Sequence, residues 1–157
     1  MKKLFVLWAC LGLAACGGNR YEYSRASFNG PIQCAPYARA HTGLKLRGDA
    51  ATWWRQAAGR YARTQIPTPG SVLVFRATSR VPSGHVSIVR RQVGEHTILV
   101  DHANWEPGRI DHNVPVTDIS AAHNWTMVRV WWAPIHKMGR RPYATYGFIS
   151  RFGDGSS

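Results

Sequence analysis

The hydrophobic and polar positions in the first half of the chain predict two helices. Residues 33–41 are helix formers, with Pro36 acceptable in a first turn and Gly43 suited to end the helix. This helix has Cys34 at or next to its N-terminus. A second helix is predicted over residues 49–58, because the segment begins with aspartate, a favoured N-cap residue, and is followed by glycine.

Beyond residue 66 the pattern changes to the two-residue alternation of β-strands. A Pro-Thr-Pro-Gly turn at residues 67–70 comes first. Two helices followed by adjacent strands predict the α+β class, with N-terminal helices packed on an antiparallel β-sheet. The residues after 135 are expected to be loosely ordered. Strands are predicted over residues 71–75, 85–91, 97–104 and 124–132.

The first residues have the character of an export signal. Lys2 and Lys3 precede an apolar run over residues 4–15, which is too short to span a bilayer as a permanent helix. The run ends in Leu-Ala-Ala-Cys at Cys16, and this ending resembles the lipobox of bacterial lipoproteins. The resemblance implies that residues 1–15 are removed as a signal peptide and that acyl chains are attached to Cys16. An ordinary signal peptide cut nearby and an uncleaved anchor are the alternatives.

The length of 157 residues suits a single folded domain. The lipobox resemblance implies that this domain is exported to the periplasmic side and lipid-anchored to a membrane, with the outer membrane favoured over the inner. The expected organisation is a signal peptide at 1–15, a tether at 16–30, the folded domain at 31–135 and a C-terminal tail at 136–157.

The chain is strongly basic. Lysine and arginine number 20 and aspartate and glutamate 8, which gives a formal net charge of +12. Such a surface favours anionic partners, which outside the cytoplasm are phospholipid head groups and cell-wall polymers. Nucleic acid, the other usual partner, is not expected for an exported lipoprotein. The basic residues are dispersed, so the charge favours adhesion more than it defines a site.

Processing would leave Cys34 as the single free thiol, because Cys10 departs with the signal peptide and Cys16 carries lipid. An unpaired cysteine in an oxidising compartment is either buried and inert or retained because its thiolate is used. A helix N-terminus lowers the pKa of a thiol, and its free N–H groups can hold an oxyanion. Gln33 could add a side-chain amide donor to that oxyanion site.

His85 is the candidate base for such a thiol. It opens a predicted strand directly after Gly84, and glycine permits the close approach of another backbone or of a substrate. The next strand ends with Asp101, His102 and Asn104, all of which can orient an imidazole. Strand alternation puts His102 and Asn104 on one face and Asp101 on the other. A strand adjacent to that of His85 is a sensible source for the orienting residue.

Five short motifs in a fixed order resemble the CHAP amidohydrolase/peptidase family. They are Gln33-Cys34 opening a helix, Gly48-Asp49-Ala50 with the following Trp54, Pro69-Gly70-Ser71-Val72, Gly84-His85-Val86-Ser87-Ile88-Val89, and Asn104-Trp105. The resemblance covers roughly residues 30–132 and implies a papain-like, NlpC/P60-like version of the α+β fold. It implies a peptidoglycan hydrolase with Cys34 as nucleophile and His85 as general base. The bond cut would be the N-acetylmuramoyl-L-alanine amide or an amide of the stem peptide.

The third catalytic position departs from the common form of this family. Many members have a glutamate two residues before the Asn-Trp pair, where this chain has His102. The related NlpC/P60 enzymes use a histidine as the third member, so His102 ranks first, with Asn104 as a helper. A neutral orienting residue stabilises an imidazolium less than a carboxylate does. Asp101 is the alternative, reached if a bulge turns it inward.

Other functions compete for the same residues. Zinc could be held by His85, His102 and His112, but these lack a close paired spacing, so neither a metal nor a cofactor is expected. A non-catalytic wall-binding or interaction lipoprotein on the same fold is the second alternative. A transferase, or a hydrolase of another amide, is the third. We expect a monomer whose partners are peptidoglycan and, through Cys16, the membrane; a protein regulator is left open.

Overall fold

A computed structural model describes residues 24–27 and 32–151 of the chain. The predicted signal peptide at residues 1–15 and the predicted lipidation site Cys16 lie outside these ranges. Residues 24–27, within the predicted tether, form a strand that pairs with the strand at residues 109–118. No helix in the described ranges is both long enough and apolar enough to cross a membrane.

The described residues form two short α-helices and nine strands. Helix α1 is Cys34–Thr42, and helix α2 is Trp53–Gln56, which follows a 3-10 turn at Ala50–Thr52. The strands are β1 Ser24–Ser27, β2 Ala62–Thr64, β3 Val72–Phe75, β4 His85–Gly94, β5 Thr97–Ala103, β6 Arg109–Asp118, β7 Met127–Trp132, β8 Lys137–Met138 and β9 Tyr143–Ser150.

Six of these strands form a closed antiparallel ring. Their order is β6-β5-β4-β3-β9-β7, and pairing between β6 and β7 closes it. The closing register places Val116 opposite Val130 and Asp118 opposite Val128. Strands β1, β2 and β8 pair with β6, β9 and β7 outside the ring. Closure leaves none of the six ring strands as a bare sheet edge.

The predicted fold class is wrong. The chain is a mostly β structure, a six-stranded antiparallel barrel with two short helices, and not a papain-like α+β fold with N-terminal helices packed on a sheet. The second helix ends at Gln56, and two strands that the pattern did not predict, β6 and β9, complete the ring. Strand β9 lies in the segment expected to be loosely ordered. Its partner β3 is far away in the chain, so no local pattern indicates the pairing.

The apolar core has two large parts, one inside the ring and one between the ring and the helices, and a small third cluster of Ile32, Ala103 and Ile110. Strand β3 contributes to both, since Leu73 and Phe75 belong to the inner part and Val72 to the part facing the helices. Its sequence is therefore a continuous apolar run rather than an alternating one. On β4, alternation puts His85 on the inner face beside Phe75 and Val86 on the face that packs with α1.

Candidate active site

Cys34 is the first residue of α1. The preceding Gln33 has extended backbone angles, φ −127° and ψ 138°, so the chain turns into the helix at the cysteine. Backbone N–H groups of the first turn, at Cys34 and Ala35, approach the sulfur, as does the N–H of Val86 on β4. The partly buried thiol thus lies between a helix N-terminus and a strand.

Burial raises the pKa of the Cys34 thiol above its ordinary value of 9.0, although hydrogen bonds from the backbone of Val86, Ala35 and Cys34 itself lower it in part. The lowering expected from the helix N-terminus is therefore present but outweighed by burial. The reason is that removing the thiolate from water costs more than the N–H groups and the helix dipole return. The resting thiol is protonated at neutral pH.

A close backbone contact holds the strand that His85 opens. Gly84 has φ of 69°, and a Cβ there would lie 2.6 Å from the backbone nitrogen of Ala51 and 2.7 Å from the carbonyl oxygen of Phe75. The N–H of Ala51 donates to the carbonyl of Ser83 at 2.9 Å. Of the two uses expected for this glycine, the structure shows the approach of another backbone.

His85 and His102 form a hydrogen bond inside the ring, with Nε2 of His85 at 2.9 Å from Nδ1 of His102. The β4–β5 register pairs Ser87 with His102, which brings the imidazole of His85, two residues along the same face, within reach. The two histidines are 4% and 0% exposed. Nε2 of His102 has no hydrogen-bond partner among the described residues. The imidazole of His102 is therefore held through its Nδ1, by the hydrogen bond with His85.

Aromatic rings enclose the two imidazoles. Phe75 meets His85 edge-on at 5.5 Å between ring centroids, and Trp105 stacks on His102 at 5.0 Å with 24° between the planes. Trp105 also meets His85 at 4.9 Å and packs against Tyr143 at 4.9 Å. This enclosure keeps the imidazoles out of water.

Burial lowers the pKa of His85 from 6.5 to about 3. Burial, and secondarily the charge of His85, lowers the pKa of His102 well below 6.5. Both imidazoles are therefore neutral at neutral pH. With the protonated thiol of Cys34, the resting pair is neutral and not a thiolate–imidazolium ion pair.

Cys34 and His85 line one surface cleft of about 520 Å³. Gln33 and Asn104 line the same cleft, which lies between the start of α1, the β3–β4 loop and the end of β5. His102 lies behind His85, inside the ring. The structure thus brings four predicted site residues to one cleft and places a fifth in contact with them.

Asn104 is engaged in the turn between β5 and β6. Its backbone is left-handed, with φ of 61°. Its Oδ1 accepts a hydrogen bond from the N–H of Gly108 at 2.9 Å, and its own N–H donates to the carbonyl of Arg109 at 2.7 Å. The side chain expected to help orient the imidazole therefore shapes the turn that carries Trp105.

Asp101 lies on the outer face of β5, opposite to His102, as strand alternation predicts. It accepts hydrogen bonds from Nε of Arg90 at 2.7 Å, from the N–H of Asn113 at 3.1 Å and from the Tyr37 hydroxyl at 3.5 Å. The alternative orienting residue thus links β4, β5 and β6 to α1 and does not face His85.

The three histidines of the zinc alternative do not converge. Nδ1 of His112 lies 3.0 Å from Oδ2 of Asp101 on the outer face of the sheet. His85 and His102 lie inside the ring. Side chains on opposite sides of a sheet cannot ligate one ion, so this ligand set is not formed.

The aromatic enclosure was missed as part of the site. Trp105 belongs to the Asn-Trp motif, which was the available signal for it. Phe75 ends a buried strand, and Tyr143 lies in the segment expected to be a tail, so each resembles an ordinary core or surface residue in the sequence. Phe75 meets His85 through the β3–β4 pairing, and Tyr143 packs on Phe75 and Trp105 behind it, so both positions depend on tertiary structure.

Comparison with protein families yields one match. The family model described as the CHAP domain matches residues 18–104, which is more than half of the chain. The match includes Cys34, His85 and His102 and ends before β6. No curated protein and no solved structure matches the chain.

Proposed function

Because the chain belongs to the CHAP domain family, we propose that it cleaves an amide bond of peptidoglycan with Cys34 as nucleophile and His85 as general base. Membership of the family indicates a hydrolase of amidase or peptidase type with peptidoglycan as substrate. One observation supports the catalytic assignment. His85 lines the same cleft as Cys34 and forms a 2.9 Å hydrogen bond with His102.

The hydrogen bond to His102 assigns the two nitrogens of His85 different tasks. With Nε2 protonated and donating to Nδ1 of His102, Nδ1 of His85 keeps the lone pair that accepts the thiol proton. The sulfur of Cys34 then bonds to the amide carbonyl carbon. The carbon–nitrogen bond breaks as His85 returns the proton to the leaving amine. Water, deprotonated by His85, hydrolyses the thioester and restores the thiol.

Proton transfer accompanies the attack in this proposal and does not precede it. Burial raises the pKa of Cys34 and lowers the pKa of His85 to about 3, which disfavours a preformed ion pair. His102 offers a neutral acceptor to the imidazolium that forms transiently. A neutral acceptor stabilises this cation less than a carboxylate does, so His85 is a weak base.

The developing oxyanion is proposed to bind at the start of α1. The first N–H groups of a helix have no partner inside the helix, and those of Cys34 and Ala35 approach the sulfur. Gln33 is exposed and lines the cleft. Its side-chain amide is a third donor for the same oxygen.

The alternative is a non-catalytic wall-binding lipoprotein on the same fold. The raised pKa of Cys34 favours it, because a protonated thiol is a weak nucleophile. The partly buried thiol would then line the cleft without reacting. Hydrolysis of peptidoglycan by the purified protein would distinguish the hydrolase from the binding protein.

Digestion of purified sacculi tests the proposal. The purified protein should release soluble fragments, and Cys34→Ala should lower the rate by at least about 10³-fold, since the nucleophile is lost. Mass spectrometry of the products then distinguishes the N-acetylmuramoyl-L-alanine amidase from the stem-peptide endopeptidase. Digestion by Cys34→Ala at the wild-type rate would exclude Cys34 as nucleophile, and no digestion by either protein would favour the binding function.

The proposed location is the periplasmic side, with a lipid anchor on Cys16 in the outer membrane. The support is the Leu-Ala-Ala-Cys ending of the N-terminal apolar run. Incorporation of labelled palmitate that is lost in Cys16→Ser is the expected result. Equal incorporation in both proteins would contradict the anchor at this residue.

A further inference from the structure

A second cluster of ligand-bearing side chains lies at the other end of the ring from the catalytic cleft. His96 is in the β4–β5 turn, Asp118 ends β6 and His123 is in the β6–β7 loop. Strand β4 separates this cluster from His85 by its ten residues, so the distance is roughly 30 Å at about 3.3 Å per residue. The cluster is therefore independent of the proposed catalytic chemistry.

The three side chains converge. One ligand atom from each, an imidazole nitrogen of His96 and of His123 and a carboxylate oxygen of Asp118, lies within 4.8 Å of the others. The two imidazoles are stacked, with ring centroids 4.4 Å apart and 29° between planes. Both histidines reach solvent, whereas Asp118 is only 5% exposed.

The carboxylate of Asp118 is held in a fixed orientation. Its Oδ1 accepts hydrogen bonds from the N–H and the hydroxyl of Ser120, at 2.8 and 2.6 Å. Its Oδ2 accepts one longer hydrogen bond, from the N–H of Trp125 at 3.2 Å, which leaves a lone pair of this oxygen available. No lysine or arginine in residues 32–151 forms an ion pair with it. A buried carboxylate with no lysine or arginine partner favours a bound cation.

The backbone around the cluster is tied to the same groups. The N–H of Asp118 donates to the carbonyl of His96 at 2.8 Å, and the N–H of His123 donates to the carbonyl of Ser120 at 3.1 Å. The hydroxyl of Ser120 accepts from the N–H of Asn124 at 3.0 Å. These contacts fix the backbone of all three ligand-bearing residues, and with it the places from which their side chains project. Outer hydrogen bonds of this kind orient ligands in metal sites.

We propose that His96, Asp118 and His123 bind one divalent transition-metal ion of the Zn²⁺ class. Two imidazole nitrogens and one carboxylate oxygen form a ligand set typical of Zn²⁺, with a fourth position for water. Bonds of about 2.0–2.2 Å need ligand atoms about 3.3 Å apart, which rotation of the two solvent-accessible imidazoles can supply. Ions that require oxygen ligands, Ca²⁺ and Mg²⁺, do not match this set.

The position of the site assigns it a structural role. It joins the β4–β5 turn to the β6–β7 loop, beside Asp118 and Val128, which are paired where the ring closes. An ion bound there would link the β4–β5 turn to the β6–β7 loop through side chains, in addition to the strand pairing. Binding to the folded chain and not to the unfolded one raises the midpoint of thermal unfolding.

Calorimetric titration of ZnSO₄ into the metal-stripped protein, prepared without a polyhistidine tag, tests the site. One ion should bind per chain, with a rise in Tm. His123→Asn and His96→Gln should each weaken binding by at least about 100-fold, more than an outer-shell change costs. Asparagine suits position 123 because the backbone there is left-handed, with φ of 50°. Two separate variants guard against a folding defect in either one.

His136→Asn is the matched control, because His136 is also exposed and left-handed, with φ of 48°. Its Zn²⁺ affinity should equal that of the wild type, and MgCl₂ or CaCl₂ should produce no rise in Tm in any protein. Digestion of sacculi by His123→Asn should be unchanged, given the distance to the cleft. Equal Zn²⁺ affinity in wild type, His96→Gln and His123→Asn, or no binding to the wild type, would overturn the proposal.

Discussion

Cys34 and His85 line the same cleft but belong to different environments. Cys34 is at the start of a helix outside the ring, partly open to solvent and surrounded by backbone N–H groups. His85 is inside the ring, between the rings of Phe75 and Trp105, with another neutral imidazole as its polar partner. Hydrogen-bond donors surround Cys34, whereas aromatic rings surround His85.

The difference shows which physical effect prevails on each side. The N–H groups around Cys34 favour a thiolate, yet burial still raises its pKa. Around His85 nothing offsets burial, and its pKa falls to about 3. Both shifts favour uncharged forms. In the proposed mechanism, charge is therefore separated only when substrate is present.

The largest expected effect is a loss of stability in acid. His85 is neutral in the folded protein down to about pH 3 and binds a proton near pH 6.5 once unfolded. Between these values the unfolded state holds more protons, so the free energy of unfolding falls as pH falls, by up to about 5 kcal/mol. Urea unfolding at pH 7 and pH 4 should show roughly 3 kcal/mol of this loss.

His85→Phe sharpens this test because phenylalanine fits an aromatic enclosure and does not titrate. The pH dependence of its unfolding free energy should be shallower than that of the wild type. It should not vanish, since burial also lowers the pKa of His102. His136→Asn, at an exposed histidine, should keep the wild-type slope. An identical slope in His85→Phe would contradict the buried, neutral imidazole.

The next effect concerns the orientation of His85. His102→Ala removes the acceptor for Nε2 and should lower kcat/KM for sacculus digestion by about 10²-fold, as the correct tautomer is no longer favoured. His102→Asn should restore part of the loss, since its side-chain oxygen can accept the same hydrogen bond. If Asp101→Asn, equally folded, lost more activity than His102→Ala, the outer-face carboxylate would be the orienting group instead.

The smallest effect is on the reactivity of the thiol. Because burial raises the pKa of Cys34, alkylation by iodoacetamide at pH 7 should be a few-fold slower than that of a small free thiol, and its rate should rise through pH 9. Cys34→Ala measures the background from the other cysteines. A fast rate that is constant from pH 5 to pH 8 would indicate a preformed thiolate and contradict the neutral pair.

Local signals predicted the backbone of the two segments that carry Cys34 and His85. The helix was predicted over residues 33–41 and found as Cys34–Thr42, and the strand that His85 opens was predicted from the correct residue. Proline in a first turn, glycine after a helix and alternation after a glycine act over a few residues. Such short-range effects can be identified from one sequence.

Ring closure was not predictable in the same way. Strand β9 pairs with β3 through Phe148 opposite Leu73, and with β7 through Tyr143 opposite Val128. Strand β6 contains Pro115, which lacks an N–H and so argues locally against a strand, although it lies opposite Leu99 of β5. Both strands depend on partners that lie outside any short stretch of sequence, so the closed ring cannot be recognised from local patterns.

Cys34 at a helix start and His85 at a strand start follow from local backbone preferences, and the sequence alone establishes them. The partner of His85, the apolar enclosure and the direction of both pKa shifts are established only by the folded ring. The reason is that a pKa depends on how much water reaches a group, and water is excluded by side chains such as Phe75 and Trp105 that strand pairing and turns bring together.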